Sequence, residues 1–126
     1  MLQVHLKYIL TIEVAPDIQE IIKRSLANTA NWQVLLVNSI AQGLSLIQTQ
    51  QLDVILLEAD LLEHCDPNIR QQLQTTASNR SIPIILMAAR IRSMDRLQFK
   101  QFGAAEAIAK PFDPKDLVEA IAKVLN

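Results

Sequence analysis

Short apolar runs alternate with longer segments of helical periodicity along the whole chain. The apolar runs occupy residues 8–12, 33–37, 54–57 and 83–87, with a weaker one at 105–109. Runs this short and this uniformly apolar are typical of strands buried on both faces, as in a parallel sheet. The pattern therefore predicts five strands that belong to one parallel sheet.

Helical segments with recognisable ends fill the gaps between these runs. Gly103 fits the left-handed position that ends a helix, after a segment over 94–102. The predicted capping residues and first-turn prolines are Pro16, Ser39, Asp66-Pro67, Ser93 and Asp113-Pro114. Five strand–helix units in strict alternation predict an α/β fold, an open doubly wound sheet with five helices on its two faces.

Ionisable side chains follow three of the predicted strands. Glu13 comes after the first strand, Glu58 closes the third, and Lys110 comes after the fifth. Ligands of such sheets bind at the carboxyl ends of the strands, so these side chains are expected to converge there. From charge alone they indicate a salt-bridged polar site. No glycine-rich phosphate loop, Ser/His/Asp order or Cys/His metal spacing accompanies them.

Composition narrows the class of protein. The 126 residues carry a net charge of −1, so no excess positive charge favours nucleic-acid or membrane-surface binding. The single Cys65 excludes an internal disulfide framework. No apolar run approaches the roughly 18 residues of a membrane span. We therefore expect one cytoplasmic domain over residues 1–126, with no separate output domain, no nucleic-acid partner and no membrane partner.

Four segments, taken together, carry a resemblance to a known family. They are residues 7–17, 53–58, 82–89 and 103–114, the last containing a Gly-Ala turn, a short strand and Lys-Pro-Phe. In these segments the chain resembles the receiver domain of bacterial two-component response regulators. The resemblance implies a flavodoxin-like fold with strand order 2-1-3-4-5. It also implies a cis peptide between Lys110 and Pro111.

The resemblance assigns roles to the residues at the strand ends. The family phosphorylates an aspartate at the end of the third strand, a position that Glu58 holds here. It binds Mg²⁺ through an acidic pair after the first strand, and that pair is Glu13 and Val14 in this chain. Because Mg²⁺ requires near-octahedral oxygen ligands, Mg²⁺ binding is expected to be weak or absent and no cofactor is expected.

Two further family positions also depart from the pattern. The hydroxyl residue after the fourth strand, which hydrogen-bonds the phosphoryl group, is Ala88. The aromatic switch residue of the fifth strand is Ala107, whereas the lysine of the site is retained as Lys110. These losses predict a degenerate phosphoacceptor pocket. Glu58 then either mimics the phosphorylated state or is inert, and the alanines at 88 and 107 favour a fixed scaffold.

The predicted function is that of a stand-alone receiver-like signalling module, not an enzyme, that acts through protein–protein contacts in a phosphorelay. Its partner would be a histidine kinase, a phosphotransfer protein or an output protein. The alternative is a working phosphoacceptor that uses Glu58 or Asp60. A flavodoxin-like ligand binder or enzyme is disfavoured, because the chain has no phosphate loop and no nucleophile–base pair.

A basic stripe on the fourth predicted helix offers a contact surface. Arg92, Arg96 and Lys100 are spaced four residues apart and so lie on one side of that helix. In receivers the fourth helix, fifth strand and fifth helix contact partners or a second copy. The hypothesis is an acidic partner, or a homodimer in which these cations meet Asp95, Glu106 or Glu119. The alternative is an ordinary solvated helix face.

Overall fold

The fold is a five-stranded parallel sheet covered by helices on both faces. The computed structural model describes residues 5–29 and 31–125, without the side chains at 93 and 94. The strands are β1 (Lys7–Ile12), β2 (Trp32–Val37), β3 (Val54–Glu58), β4 (Ile84–Ala88) and β5 (Glu106–Ala109). Their order is β2-β1-β3-β4-β5 and every pairing is parallel, which confirms the predicted topology.

The described residues form six helices, so the expected number of five is wrong by one. They are α1 (Pro16–Leu26), α2 (Ile40–Thr49), α3 (Ala59–Glu63), α4 (Pro67–Asn79), α5 (Ser93–Phe102) and α6 (Pro114–Leu125). The unexpected helix is α3, which contains the acids Asp60 and Glu63. The Glu58 side chain caps its first turn, and the buried Ala59 and Leu62 fix it on the core. None of the described helices is long and apolar enough to cross a membrane.

Alternate strand residues divide the core between the two faces of the sheet. On one face, Leu10, Leu57 and Leu86 pack with residues of α2, α3, α4 and α5. On the other face, Ile9 and Leu56 pack with residues of α1 and α6. All five of these side chains are fully buried. This two-sided burial explains why the strands are apolar runs and do not alternate between polar and apolar residues.

The helix ends follow the predicted signals with one exception. Ser39 accepts a hydrogen bond from the Gln42 amide at 3.1 Å, and Asp66 accepts one from the Asn68 amide at 2.7 Å. Gly103 ends α5 with φ = 100°. The predicted N-cap at Ser93 is wrong by one residue, because α5 begins at Ser93 and residue 92 is the cap. The side chain of Asp95 accepts from the backbone amide of residue 92 at 2.9 Å and so supplies the cap.

Candidate functional site

Three strand ends bring Glu13, Glu58 and Lys110 to one edge of the sheet. Glu58 is the last residue of β3. The amide of Glu13 donates to Val37 O at 3.1 Å, which continues the β1–β2 ladder by one residue. The amide of Lys110 donates to Ala88 O at 2.8 Å and holds the chain after β5 beside β4. The peptide from Lys110 to Pro111 is cis, as the family resemblance implied.

The Lys110 ammonium lies between the two carboxylates. Its Nζ is 2.8 Å from Glu13 Oε1 and also contacts Glu58 Oε2. Glu13 and Glu58 are only 1% and 6% exposed, and the Lys110 side chain is 15% exposed. The second oxygen of Glu58, Oε1, accepts from the Asp60 amide at 3.2 Å. Glu58 therefore joins the lysine to the first turn of α3.

The cluster holds two carboxylates and one ammonium in a buried position. Burial raises the pKa of Glu13, and the nearby Glu58 acts in the same direction, while Lys110 opposes both. Burial by itself would lower the pKa of Lys110, but the hydrogen bonds to Glu13 and Glu58 outweigh it and the pKa is raised. Lys110 is therefore charged at neutral pH, and burial resists ionisation of Glu13.

The groups at this edge that bear on Mg²⁺ binding are Val14 and the carboxylate oxygens of Glu13 and Glu58. Val14 is 52% exposed beside Glu13 and offers only hydrocarbon where the family has a second acid. One oxygen of Glu13 and one of Glu58 face the Lys110 ammonium. Glu13 Oε2 is buried without a hydrogen-bond partner among the described residues. Within that same part of the chain, no three His, Cys, Asp or Glu side chains form a group that could hold a metal ion.

The two family positions on β4 and β5 carry methyl groups. Ala88 is the last residue of β4, is 6% exposed and pairs with Ala109 across the β4–β5 ladder. Ala107 is half-buried and pairs with Leu86. Ala88 therefore brings no hydroxyl to the cluster, and Ala107 brings no aromatic ring to β5.

Two residues of the basic stripe, Arg96 and Lys100, lie on the exposed surface of α5, and the third, Arg92, is the extended residue just before the helix. Arg92, Arg96 and Lys100 are all exposed, and Arg92 Nε is 3.3 Å from Asp95 Oδ2. The hydrogen bond from the backbone amide of Arg92 holds the pKa of Asp95 below its usual value. Asp95 therefore already has a partner within its own helix.

The other two acids proposed as partners of this stripe also pair within the chain. Glu106 Oε2 is 3.4 Å from Lys123 Nζ, and Glu119 Oε1 is 4.0 Å from Lys115 Nζ. Neither pair was predicted from the sequence. The four-residue spacing of Lys115 and Glu119 was a readable signal. The Glu106–Lys123 pair joins β5 to α6, and no short-range spacing in the sequence predicts it.

Comparison with known proteins agrees with this architecture. The family model described as "Response regulator receiver domain" matches residues 9–122. The phosphate regulon transcriptional regulatory protein PhoB of Pseudomonas aeruginosa is 29% identical over 120 residues, which cover 95% of this chain and 52% of that protein. Response regulator Rre1 of Synechocystis is 26% identical over 118 residues, which cover 93% of this chain and 50% of that protein. The chain thus spans about half the length of these relatives.

Solved receiver structures share the fold. A CheY-like receiver domain protein from Methanospirillum hungatei superposes with a TM-score of 0.79 at 23% identity, covering 95% of this chain and 94% of that one. The receiver domain of the sensor histidine kinase PA1611 from P. aeruginosa also gives 0.79, at 26% identity, covering 95% and 98%. With the family match over residues 9–122, these findings show that the chain belongs to the response regulator receiver domain family.

Proposed function

We propose that this receiver domain is degenerate at its phosphorylation site and signals through protein contacts without taking up phosphate. The main support for the proposal comes from the contacts of the Glu58 carboxylate, which occupies the acceptor position. One of its oxygens contacts the Lys110 ammonium and the other caps α3 through the Asp60 amide. Both oxygens of the acceptor side chain are therefore engaged within the protein.

The chemistry of phosphoryl transfer supports this proposal. Such transfer depends on positioning and on neutralising charge on the phosphoryl oxygens, which metal ions and hydrogen-bond donors supply. Val14 gives no metal ligand and Ala88 gives no hydroxyl donor. The remaining cation, Lys110, is already shared between Glu13 and Glu58. The pocket therefore has few groups left to stabilise a transferring phosphoryl group.

Magnesium is expected to bind weakly or not at all. The receiver of PA1611 has a magnesium ion coordinated in its active-site cleft. In this chain a divalent cation would have to compete with Lys110 for the oxygens of Glu13 and Glu58. The ion also prefers to keep near-octahedral oxygen coordination, to which Val14 cannot contribute.

The proposed output is contact with another signalling protein in the cytoplasm. The candidate partners are a histidine kinase, a phosphotransfer protein or an output protein. The candidate contact surface is formed by three exposed cations, Arg92 just before α5 and Arg96 and Lys100 within it. Because residues 88 and 107 are both alanine, the domain lacks the hydroxyl and the aromatic ring of the family's switch. We therefore infer that it acts as a fixed scaffold.

Incubation with acetyl phosphate and Mg²⁺, followed by intact-mass measurement, tests the proposal. The wild-type chain is expected to gain no phosphoryl group. The triple variant Glu58→Asp, Val14→Asp and Ala88→Thr rebuilds the family pattern in the same fold and serves as the positive control. A stoichiometric adduct on the wild-type chain, mapped to Glu58 or Asp60, would instead establish the working phosphoacceptor.

A further inference from the structure

β2 is an edge strand, and half of its backbone groups point away from the sheet. Among the described strands it pairs only with β1, in parallel. The carbonyl of Val37 accepts from the Glu13 amide at 3.1 Å, so the odd-numbered residues of β2 direct their backbone groups toward β1. The backbone groups that point outward are therefore those of the even-numbered residues Trp32, Val34 and Leu36.

Two amides on this outer side are available to a further strand. At the start of β2, the amide of Trp32 donates to Thr29 O at 3.4 Å. Just beyond its end, the amide of Asn38 donates to Gln42 Oε1 at 3.2 Å. Among the residues that the structure describes, the outward amides without a hydrogen-bond partner are those of Val34 and Leu36. A sheet edge with unpaired donors and acceptors is a template for adding a strand.

The two edges of the sheet differ in how they are protected. β5 has four residues, begins with Glu106 and is followed by Lys110 and Pro111. Short length, charge and proline are the means by which proteins protect an edge from further pairing. β2 has six residues, none of them charged or proline, and five of its six side chains are only half-buried. β2 is therefore the edge that is open to strand addition.

The segment that forms β2 and α2 carries no charge. Although 20% of the chain is charged, no Asp, Glu, Lys, Arg or His occurs between Arg24 and Asp53. This segment includes all of α2, which packs against β1 and β2. Across a two-fold axis a surface meets its own copy, so a charge near the axis faces an identical charge and is unfavourable. An uncharged edge therefore favours a second copy of the chain as its partner.

We propose that two copies of the chain pair antiparallel through β2 and join their sheets into one continuous sheet. With Leu35 of both copies at the two-fold axis, Val34 of each copy lies opposite Leu36 of the other. The amide of each of these residues then donates to the carbonyl of the residue opposite, so both free donors of each copy are used. Every contact is made twice, as an isologous interface requires.

This pairing also determines where the helices lie. The two-fold axis is perpendicular to the joined sheet, so the two α2 helices lie on the same face, and neither carries a charge. The interface lies at the β2 edge, away from α5 and β5 at the other end of the sheet. The inference therefore goes beyond the proposed function and does not depend on it.

Amide exchange of the β2 residues, measured by NMR at several concentrations, tests the pairing. Sedimentation equilibrium should show a concentration-dependent dimer and gives the dimer fraction for each sample. The amides of Val34 and Leu36 should exchange about tenfold more slowly when about nine-tenths of the chain is dimeric, because they then exchange only from the monomer. The amides of Leu35 and Val37, which are bonded to β1, are internal controls and should not change with concentration.

A proline at an outward position removes one donor from each copy. Val34→Pro leaves the β1–β2 ladder intact, because proline is tolerated on an edge strand where its nitrogen points outward. It should weaken dimerisation by roughly thirtyfold, since two hydrogen bonds between the copies are lost. Val34→Thr keeps the amide and the branched shape and should retain the dimer. Arg96→Glu with Lys100→Glu on α5 should retain it as well.

The outcomes that contradict the pairing are distinct. A chain that stays monomeric at every concentration overturns the inference. A dimer whose Val34 and Leu36 amides exchange as fast as in the monomer also overturns it, as does a dimer that the α5 variant abolishes or that folded Val34→Pro leaves unchanged. If Val34→Pro does not fold, amide exchange of the wild-type chain decides. None of these results bears on phosphate uptake, so this inference and the proposed function fail separately.

Discussion

Replacing Lys110 with methionine removes the cation that contacts both Glu13 and Glu58. At 2.8 Å and an effective dielectric near 20, the attraction between Lys110 and Glu13 is roughly 6 kcal/mol before desolvation is counted. Breaking a buried pair by deleting one partner costs about 3–5 kcal/mol, because the other charge is left buried and uncompensated. Here two carboxylates are left, and the lysine side chain is only 15% exposed, so solvent screens little of the loss.

Urea denaturation at neutral pH measures this loss directly. A free energy of unfolding lower by about 3–5 kcal/mol removes a large part of the roughly 5–15 kcal/mol typical of a domain. Lys115→Met is the matched control. It removes a cation that is 80% exposed and lies 4.0 Å from Glu119, and it should leave the urea midpoint nearly unchanged.

Two further measurements on the same variant follow from the uncompensated charge. Adding Glu58→Gln to Lys110→Met should recover part of the lost stability, since it neutralises one of the two uncompensated carboxylates. Lowering the pH should also recover stability, because burial raises the pKa of Glu13 and its protonation removes one of the two charges. If Lys110→Met is as stable as Lys115→Met at neutral pH, the cluster does not hold the strand ends together and the reasoning is wrong.

Two other predictions concern the same edge of the sheet and the packing behind it. Burial raises the pKa of Glu13 above 4.5, so the folded state holds the carboxyl proton of Glu13 more tightly than the unfolded chain does. As the pH rises through 4.5 and above, ionisation of Glu13 therefore lowers the free energy of unfolding. Glu13→Gln should therefore gain stability relative to wild type over that range in urea titrations, and a constant difference would contradict this. Gly43→Ala places a Cβ 2.5 Å from Ile12 Cδ1, so despite the better helix propensity of alanine we expect a net loss of about 1 kcal/mol. Combining it with Ile12→Val, which removes that methyl group, should bring the thermal midpoint back toward that of Ile12→Val alone.

The sheet could be predicted because its signal is local and repeated. Each strand is buried on both faces, so each is a short apolar run, and strict alternation with helices leaves few topologies. The convergence of Glu13, Glu58 and Lys110 followed from the same logic. The carboxyl ends of parallel strands share one edge, so three residues far apart in sequence had to meet there.

The features that sequence reasoning missed depend on contacts without a local pattern. Helix α3 has five residues, too few for helical periodicity, and forms because Glu58 caps it and Leu62 packs on the core. The guanidinium of Arg80 donates to Ile47 O at 2.6 Å and Gln48 O at 3.0 Å, which satisfies the last carbonyls of α2 from over thirty residues away. No regular spacing of residues in the sequence predicts that Arg80 caps the end of α2.

Anomalous diffraction from crystals soaked in Mn²⁺ shows whether Lys110 or a divalent cation holds the two carboxylates, because Mn²⁺ shares the preference of Mg²⁺ for oxygen ligands. We expect Lys110 Nζ between Glu13 and Glu58, with no manganese peak at that position. A strong peak bridging Glu13 and Glu58, surrounded by octahedral oxygens and with Lys110 displaced, would contradict the proposed degeneracy of the pocket.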